Sequence, residues 1–76
     1  MNTELKKRIG CNIRALREAA GMTQELLATR LQINGCDLTR SAVAKIEVGQ
    51  RHIYADELIM IKRILDVSFD RLLSTD

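Results

Sequence analysis

The sequence predicts an all-α fold, one domain of five short helices over residues 1–76. Two patterns carry this. Apolar residues recur at intervals of three and four, the spacing of one helix face, and Asn, Thr or Ser stands ahead of four of the five stretches, where a side-chain oxygen satisfies free N–H groups. No segment alternates apolar and polar residues as a half-buried strand would, and neither repeats nor low-complexity tracts interrupt the chain.

Leu5, Ile9, Ile13, Leu16 and Ala20 form the inward stripe of a first helix from Thr3 to Ala20, with Lys6, Lys7, Arg8, Arg14 and Glu18 mostly off it. Asn2 or Thr3 caps it and Gly21 ends it in the left-handed conformation. Gly10, mid-helix, costs up to about 1 kcal/mol relative to alanine, so another helix is expected to approach closely there. Thr23 caps a second helix, Gln24 to Leu31, with Leu27, Ala28 and Leu31 inward. Gln32 to Leu38 contains the turn signal Asn34-Gly35, followed by Asp37.

Thr39 caps a third helix, Arg40 to Val48, ended by Gly49. Val43 and Ile46 point inward, whereas Arg40, Ser41, Ala44 and Lys45 point outward. A fourth helix, Ala55 to Leu65, has Asp56 and Glu57 in its first turn, where the helix dipole favours negative charge, and a core seam of Leu58, Ile61 and Leu65. Ser68 caps a last helix, Phe69 to Leu73, offering Phe69, Leu72 and Leu73 to the core.

Composition narrows the function classes. The 46% apolar content suits a folded chain, but domains below roughly 70 to 80 residues seldom draw more than about 3 to 5 kcal/mol from one core, so a partner is expected to help. The longest apolar run, Leu58 to Ile61, falls far short of the roughly 20 residues a membrane span needs. With no apolar signal core after Met-Asn-Thr-Glu, a cytoplasmic protein is expected. Cys11, Cys36 and His52 are too few for a tetrahedral metal set. The two cysteines read as reduced, buried or half-buried thiols, with a disulfide between them as the alternative.

No Cys-His pair or phosphate-cradling glycine loop is present, so neither catalysis nor a cofactor or small-molecule substrate is expected. Tyr54 and Phe69, the only aromatics besides the lone histidine, are too few for a single-strand stacking platform. Residues 1–17 hold five basic and one acidic side chain, whereas 52–76 hold three basic and five acidic. A basic end on a small domain suggests an anionic partner, nucleic acid first among them.

Several stretches then matter together: Ile9-Gly10, Ile13 to Arg17, Gly21-Met22-Thr23-Gln24-Glu25-Leu26-Leu27-Ala28, Ser41 to Arg51 with its Ile46-Glu47-Val48-Gly49-Gln50-Arg51 end, and Leu65-Asp66-Val67-Ser68 before Leu72-Leu73. In this order the chain resembles the Cro-like, XRE-type helix-turn-helix family of phage and bacterial repressors. The resemblance implies a five-helix, lambda-repressor-like DNA-binding domain in a bacterial or phage-encoded protein. One departure stands out. Compared with the family pattern, Ala28 to Glu47 is longer by roughly five residues, and the excess falls in Gln32 to Leu38, between the helices of the motif. Leu38 is expected to fill the core position of the usual turn residue, leaving Ile33 to Asp37 as an outward bulge.

The resemblance assigns the third helix to base reading. A major groove about 12 Å wide admits one α-helix, and arginine pairs with guanine O6 and N7. Arg40 and Ser41 are thus expected at base edges, with Ala44 on the same face and Lys45 one turn on. Family likeness gives Gln24 a phosphate contact and a bracing role beside the third helix, and sends Thr39 and Arg51 toward the backbone. Arg14 is a further DNA candidate, whereas Lys6 and Lys7 remain open between DNA contact and solubility. The family also pairs an arginine at the position of Arg17 with a glutamate at that of Glu47.

A homodimer on a palindromic operator is expected, because one short helix reads few base pairs and a two-fold dimer reads two half-sites. Ile59, Met60 and Ile64 lie outside the core arc of the fourth helix, so they form the expected interface with Phe69 and Leu72. The competing function is a protein-interaction module, an adaptor or antitoxin built on the same fold. With no effector domain after Asp76, control is expected through abundance, oligomerisation or a partner.

Overall fold

Each helix begins where a residue in extended backbone lends oxygen atoms to free N–H groups. The structure is a computed structural model that describes residues 2–76. In chain order the helices are α1 (Thr3–Ala19), α2 (Gln24–Ile33), α3 (Arg40–Glu47), α4 (Ala55–Leu65) and α5 (Phe69–Leu72). Asn2, Thr23, Thr39 and Ser68 accept from the backbone N–H groups of Leu5, Leu26, Ala42 and Arg71 at 2.7 to 3.2 Å. Tyr54 lends only its carbonyl oxygen, to Leu58 N–H, and there the Glu57 carboxylate reaches back to accept from the Tyr54 N–H at 3.0 Å.

Four helices close on the same double bond pattern. After α1, α2 and α3 a glycine at positive φ (Gly21, Gly35, Gly49) donates to the carbonyl three residues back, and the next residue donates five back. Asp66, at φ 54°, takes the equivalent position after α4. The lengthened connection follows from this chemistry. Gly35, rather than Leu31, sets the stop, so α2 runs two residues further than the periodicity suggests. Gln32 Nε2 donates to the Leu38 carbonyl at 2.9 Å, pinning the return to Thr39. Leu38 is fully buried, while Ile33 is 77% exposed beside exposed Asn34, Gly35 and Asp37.

Ile9, Ile13, Leu16, Leu27, Leu31, Val43, Ile46, Ile61 and Leu65 make the centre of the core, completed by Ala28, Leu38, Ile53 and Leu72. α3 packs against both α1 and α2, α4 mainly against α2, and α5 against α1. No described helix is long and apolar enough to cross a membrane.

Several sequence expectations shift. Ala20 and Leu73 are exposed caps and Phe69 is exposed at the start of α5, so none of the three is a core residue. Leu58 is half-buried, and the seam of α4 consists of Glu57, Ile61 and Leu65, because Glu57 finds an arginine partner inside. Cys11 is exposed and Cys36 half-buried, both as free thiols. Leu72, expected at a subunit interface, is instead fully buried within the chain. α5 is one turn long and has one side to bury, and Asn12 Nδ2 locks it by donating to the carbonyls of Leu72 and Ser74 at 2.9 and 2.8 Å.

Gly10 is the point of closest helix approach. A methyl group there would collide with the Ile46 carbonyl oxygen and stand 2.8 Å from that of Glu47. Both are backbone atoms and cannot swing aside. Gly10→Ala gains up to about 1 kcal/mol of helix propensity, but forcing α1 off α3 costs about 1 to 3 kcal/mol. The expected result is a net loss of stability, read as a lower urea midpoint.

Candidate nucleic-acid interface

The inward side of α3 is anchored by apolar packing and by charge. Val43 and Ile46 are fully buried, and Arg17 of α1 pairs with Glu47 at the end of α3, their side chains 9% and 1% exposed. Arg17 Nε donates to one carboxylate oxygen of Glu47 at 2.7 Å and Nη2 to the other at 3.0 Å. Arg17 Nη1 donates to the Met22 carbonyl at 2.8 Å, tying in the α1–α2 turn. Gln24 Nε2 donates to Glu47 at 3.0 Å from the first turn of α2. The Glu47 hydrogen bond raises the Arg17 pKa above its ordinary value against the opposing effect of burial, so the guanidinium stays charged.

One carboxylate thus joins three elements, and α3 cannot rotate without stranding it. Its outward face is left free. Arg40, Ser41 and Lys45 are exposed and Ala44 is half-buried. Arg40 and Lys45 have no carboxylate within salt-bridge distance among the described residues. Thr39 Oγ1 is engaged in capping. Val48 lies on the same arc and is 52% exposed, an apolar contribution that the sequence reading had assigned to the helix end alone.

Two expected backbone contacts are placed differently. Arg51 lies just past α3, but its guanidinium makes a two-bond pair with Glu57 at 2.9 and 3.1 Å and also donates to the His52 carbonyl. Burial pushes the Glu57 carboxyl up, and hydrogen bonds from Arg51 and Tyr54 with the Arg51 charge outweigh it, leaving its pKa lowered. Arg14 pairs with Glu18 across one helical turn at 3.7 Å, both of them exposed. The Arg51–Glu57 pair was missed in the sequence, although Tyr54-x-x-Glu57 has the spacing of a reach-back cap. Beside it, Cys36 is held as a neutral thiol by burial and by nearby Glu57 and Asp56.

The buried pair has a measurable signature. Arg17→Met or Glu47→Met alone leaves one charge without its partner and should cost about 3 to 5 kcal/mol, whereas the double change leaves none and should cost less than either. Urea titrations of the four proteins give the coupling directly. Additive losses would contradict this account.

Comparison with known proteins agrees with this architecture. A model of the helix-turn-helix family matches residues 13–72. The structure superposes on the DNA-binding domain of BldD with a TM-score of 0.81 at 22% identity, covering 97% of this chain and 100% of that one. It is also similar to the restriction-modification controller protein C.AhdI from Aeromonas hydrophila, with a TM-score of 0.80 at 30% identity over 92% of this chain and 94% of that one. Comparison with curated protein sequences gives no match. With the family model spanning most of its length and an anchored α3 at its centre, the chain belongs to the helix-turn-helix family of Cro/XRE type.

Proposed function

We propose that the chain is a single-domain, sequence-specific regulator of transcription that acts in the cytoplasm as a repressor, laying α3 in the major groove of duplex DNA. The observation that carries this is the contrast between the two sides of α3: an inner side locked by Val43, Ile46 and Glu47, and an outer side presenting Arg40, Ser41, Ala44 and Lys45. A reader of base edges needs that combination, because a loosely held helix would spread its contacts over several registers. Similarity to a controller protein and membership of the family support the regulatory reading.

In this reading Arg40 donates two hydrogen bonds to guanine, Ser41 accepts or donates to either base of a pair, Ala44 allows close approach and Lys45 meets the groove edge. Gln24 gives one amide hydrogen to Glu47 and keeps the other for a phosphate beside the free N–H groups at the start of α2. Thr39 meets the backbone at the N-terminal end of α3. Arg51 and Arg14 would have to leave Glu57 and Glu18 to bind phosphate, so they contribute at the rim.

A two-fold dimer on a palindromic operator completes the reading, with half-sites about 34 Å apart. Ile59 is 40% exposed and Phe69 41%, with Lys62 Nζ 5.3 Å from the Phe69 ring centre. Met60 and Ile64 are half-buried against the core, so they border the interface and Ile59 and Phe69 form its centre.

The test is binding to duplexes selected from random sequence. Arg40→Ala should weaken the selected site by about 1 to 3 kcal/mol and relax preference at one base pair. Sequence-blind micromolar binding by the unaltered protein would contradict the proposal. For the dimer, sedimentation equilibrium at micromolar concentration should give a dimer that Ile59→Glu splits into folded monomers, because Ile59 lies opposite the core seam of α4. A monomer throughout would remove this interface.

A further inference from the structure

α3 has eight residues, which at 1.5 Å per residue makes it about 12 Å long, close to the roughly 12 Å width of the major groove. A helix of that length laid in the groove brings its two ends toward the two phosphate backbones that bound it. Thr39 attends the N-terminal end, where free N–H groups suit an anion. The C-terminal end has the opposite character. The negative end of the helix dipole, about half a charge, lies there and repels phosphate, so a backbone passing there needs a cation supplied from elsewhere.

The fold supplies one from α1. The stem of Lys7 crosses the glycine that closes α3: a methyl group built on Gly49 would lie 2.5 Å from Lys7 Cγ and 3.1 Å from Lys7 Cα. One turn further along α1, Gly10 rests on the carbonyls of Ile46 and Glu47. Two glycines, one within α1 and one just past α3, therefore seat the N-terminal half of α1 on the end of α3. Lys7 remains exposed, and among the described residues no carboxylate lies within salt-bridge distance of it. Arg51, the neighbouring cation in sequence after α3, is bound to Glu57.

We infer that Lys7 is the phosphate contact at the C-terminal end of α3, gripping the DNA strand opposite the one met by Thr39. This rests on the DNA-binding reading above. Lys7 then contributes affinity without sequence preference, since a phosphate looks alike at every base pair.

The experiment compares the unaltered protein, Lys7→Met and Lys7→Arg on the selected duplex over a range of salt concentrations, and on duplexes carrying one neutral methylphosphonate at a time. Methionine keeps the stem on Gly49 and removes only the charge. Each phosphate neutralised contributes about −0.9 to the slope of log K against log salt. Lys7→Met should therefore flatten the slope by about that amount per bound subunit, with base preference unchanged, and Lys7→Arg should retain it. One methylphosphonate on the far strand should weaken the unaltered protein and leave Lys7→Met indifferent. Sequence-specific binding in which Lys7→Met alters neither slope nor methylphosphonate profile would overturn the assignment while leaving the DNA-binding reading intact. Absence of salt-dependent duplex binding by the unaltered protein would overturn both.

Discussion

The position of α3 depends on one buried carboxylate. Glu47 sits inside the domain with its side chain 1% exposed, and desolvation of that kind is sustainable only if its lone pairs are met. Arg17 meets both oxygens and Gln24 adds a third bond, so α1, α2 and α3 share a single acceptor. A hydrophobic contact in the same place would tolerate sliding by a fraction of a turn. The planar guanidinium and carboxylate do not, because their two parallel bonds require one mutual orientation. Buried side-chain polar atoms without a partner are absent among the described residues, so the anchoring does not leave a second group stranded.

Close backbone approach complements the ion pair. Gly10 lets α1 touch the carbonyls of Ile46 and Glu47, which places Arg17, two turns later on the same helix, opposite the Glu47 side chain. The connections between helices obey a similar economy. Each of the first four helices closes with the same two hydrogen bonds, and the extra residues between α2 and α3 are absorbed as added helix, one such closing turn and a short extended return to Leu38. The return is fixed by Gln32 at the Leu38 carbonyl and by the fully buried Leu38 side chain. Lengthening the motif therefore leaves the anchoring of α3 intact.

Electrostatics divides the basic residues into two groups. Arg17 and Arg51 are spent on Glu47 and Glu57, where they hold loops and helices together. Arg40, Lys45 and Lys7 are exposed with no carboxylate within salt-bridge distance among the described residues, the first two on the outward side of α3 and Lys7 across Gly49 at its end. Net charge alone would not separate these roles. Carboxylate geometry does, since a guanidinium held by two bonds loses much of its attraction for a phosphate.

The five helices were legible because each element's apolar spacing, cap and stop signal lie within a few residues of one another. Thr39, Gly49, Gly21 and the Val43–Ile46 pair act locally, and local chemistry survives in any fold that forms these helices. Resemblance to the family also pointed to Arg17 and Glu47 as partners, although their 30-residue separation hides the contact from any pattern of spacing. What only the tertiary structure decided is which residues share a surface. Glu57 displaced Leu58 from the seam of α4 because Arg51 lies within reach of it, Leu72 was buried because Asn12 clamps the end of the chain, and Lys7 met Gly49 because two glycines allow α1 to rest on α3. Sequence fixes periodicity within a helix; burial and charge pairing arise between helices, from residues that the chain order keeps far apart.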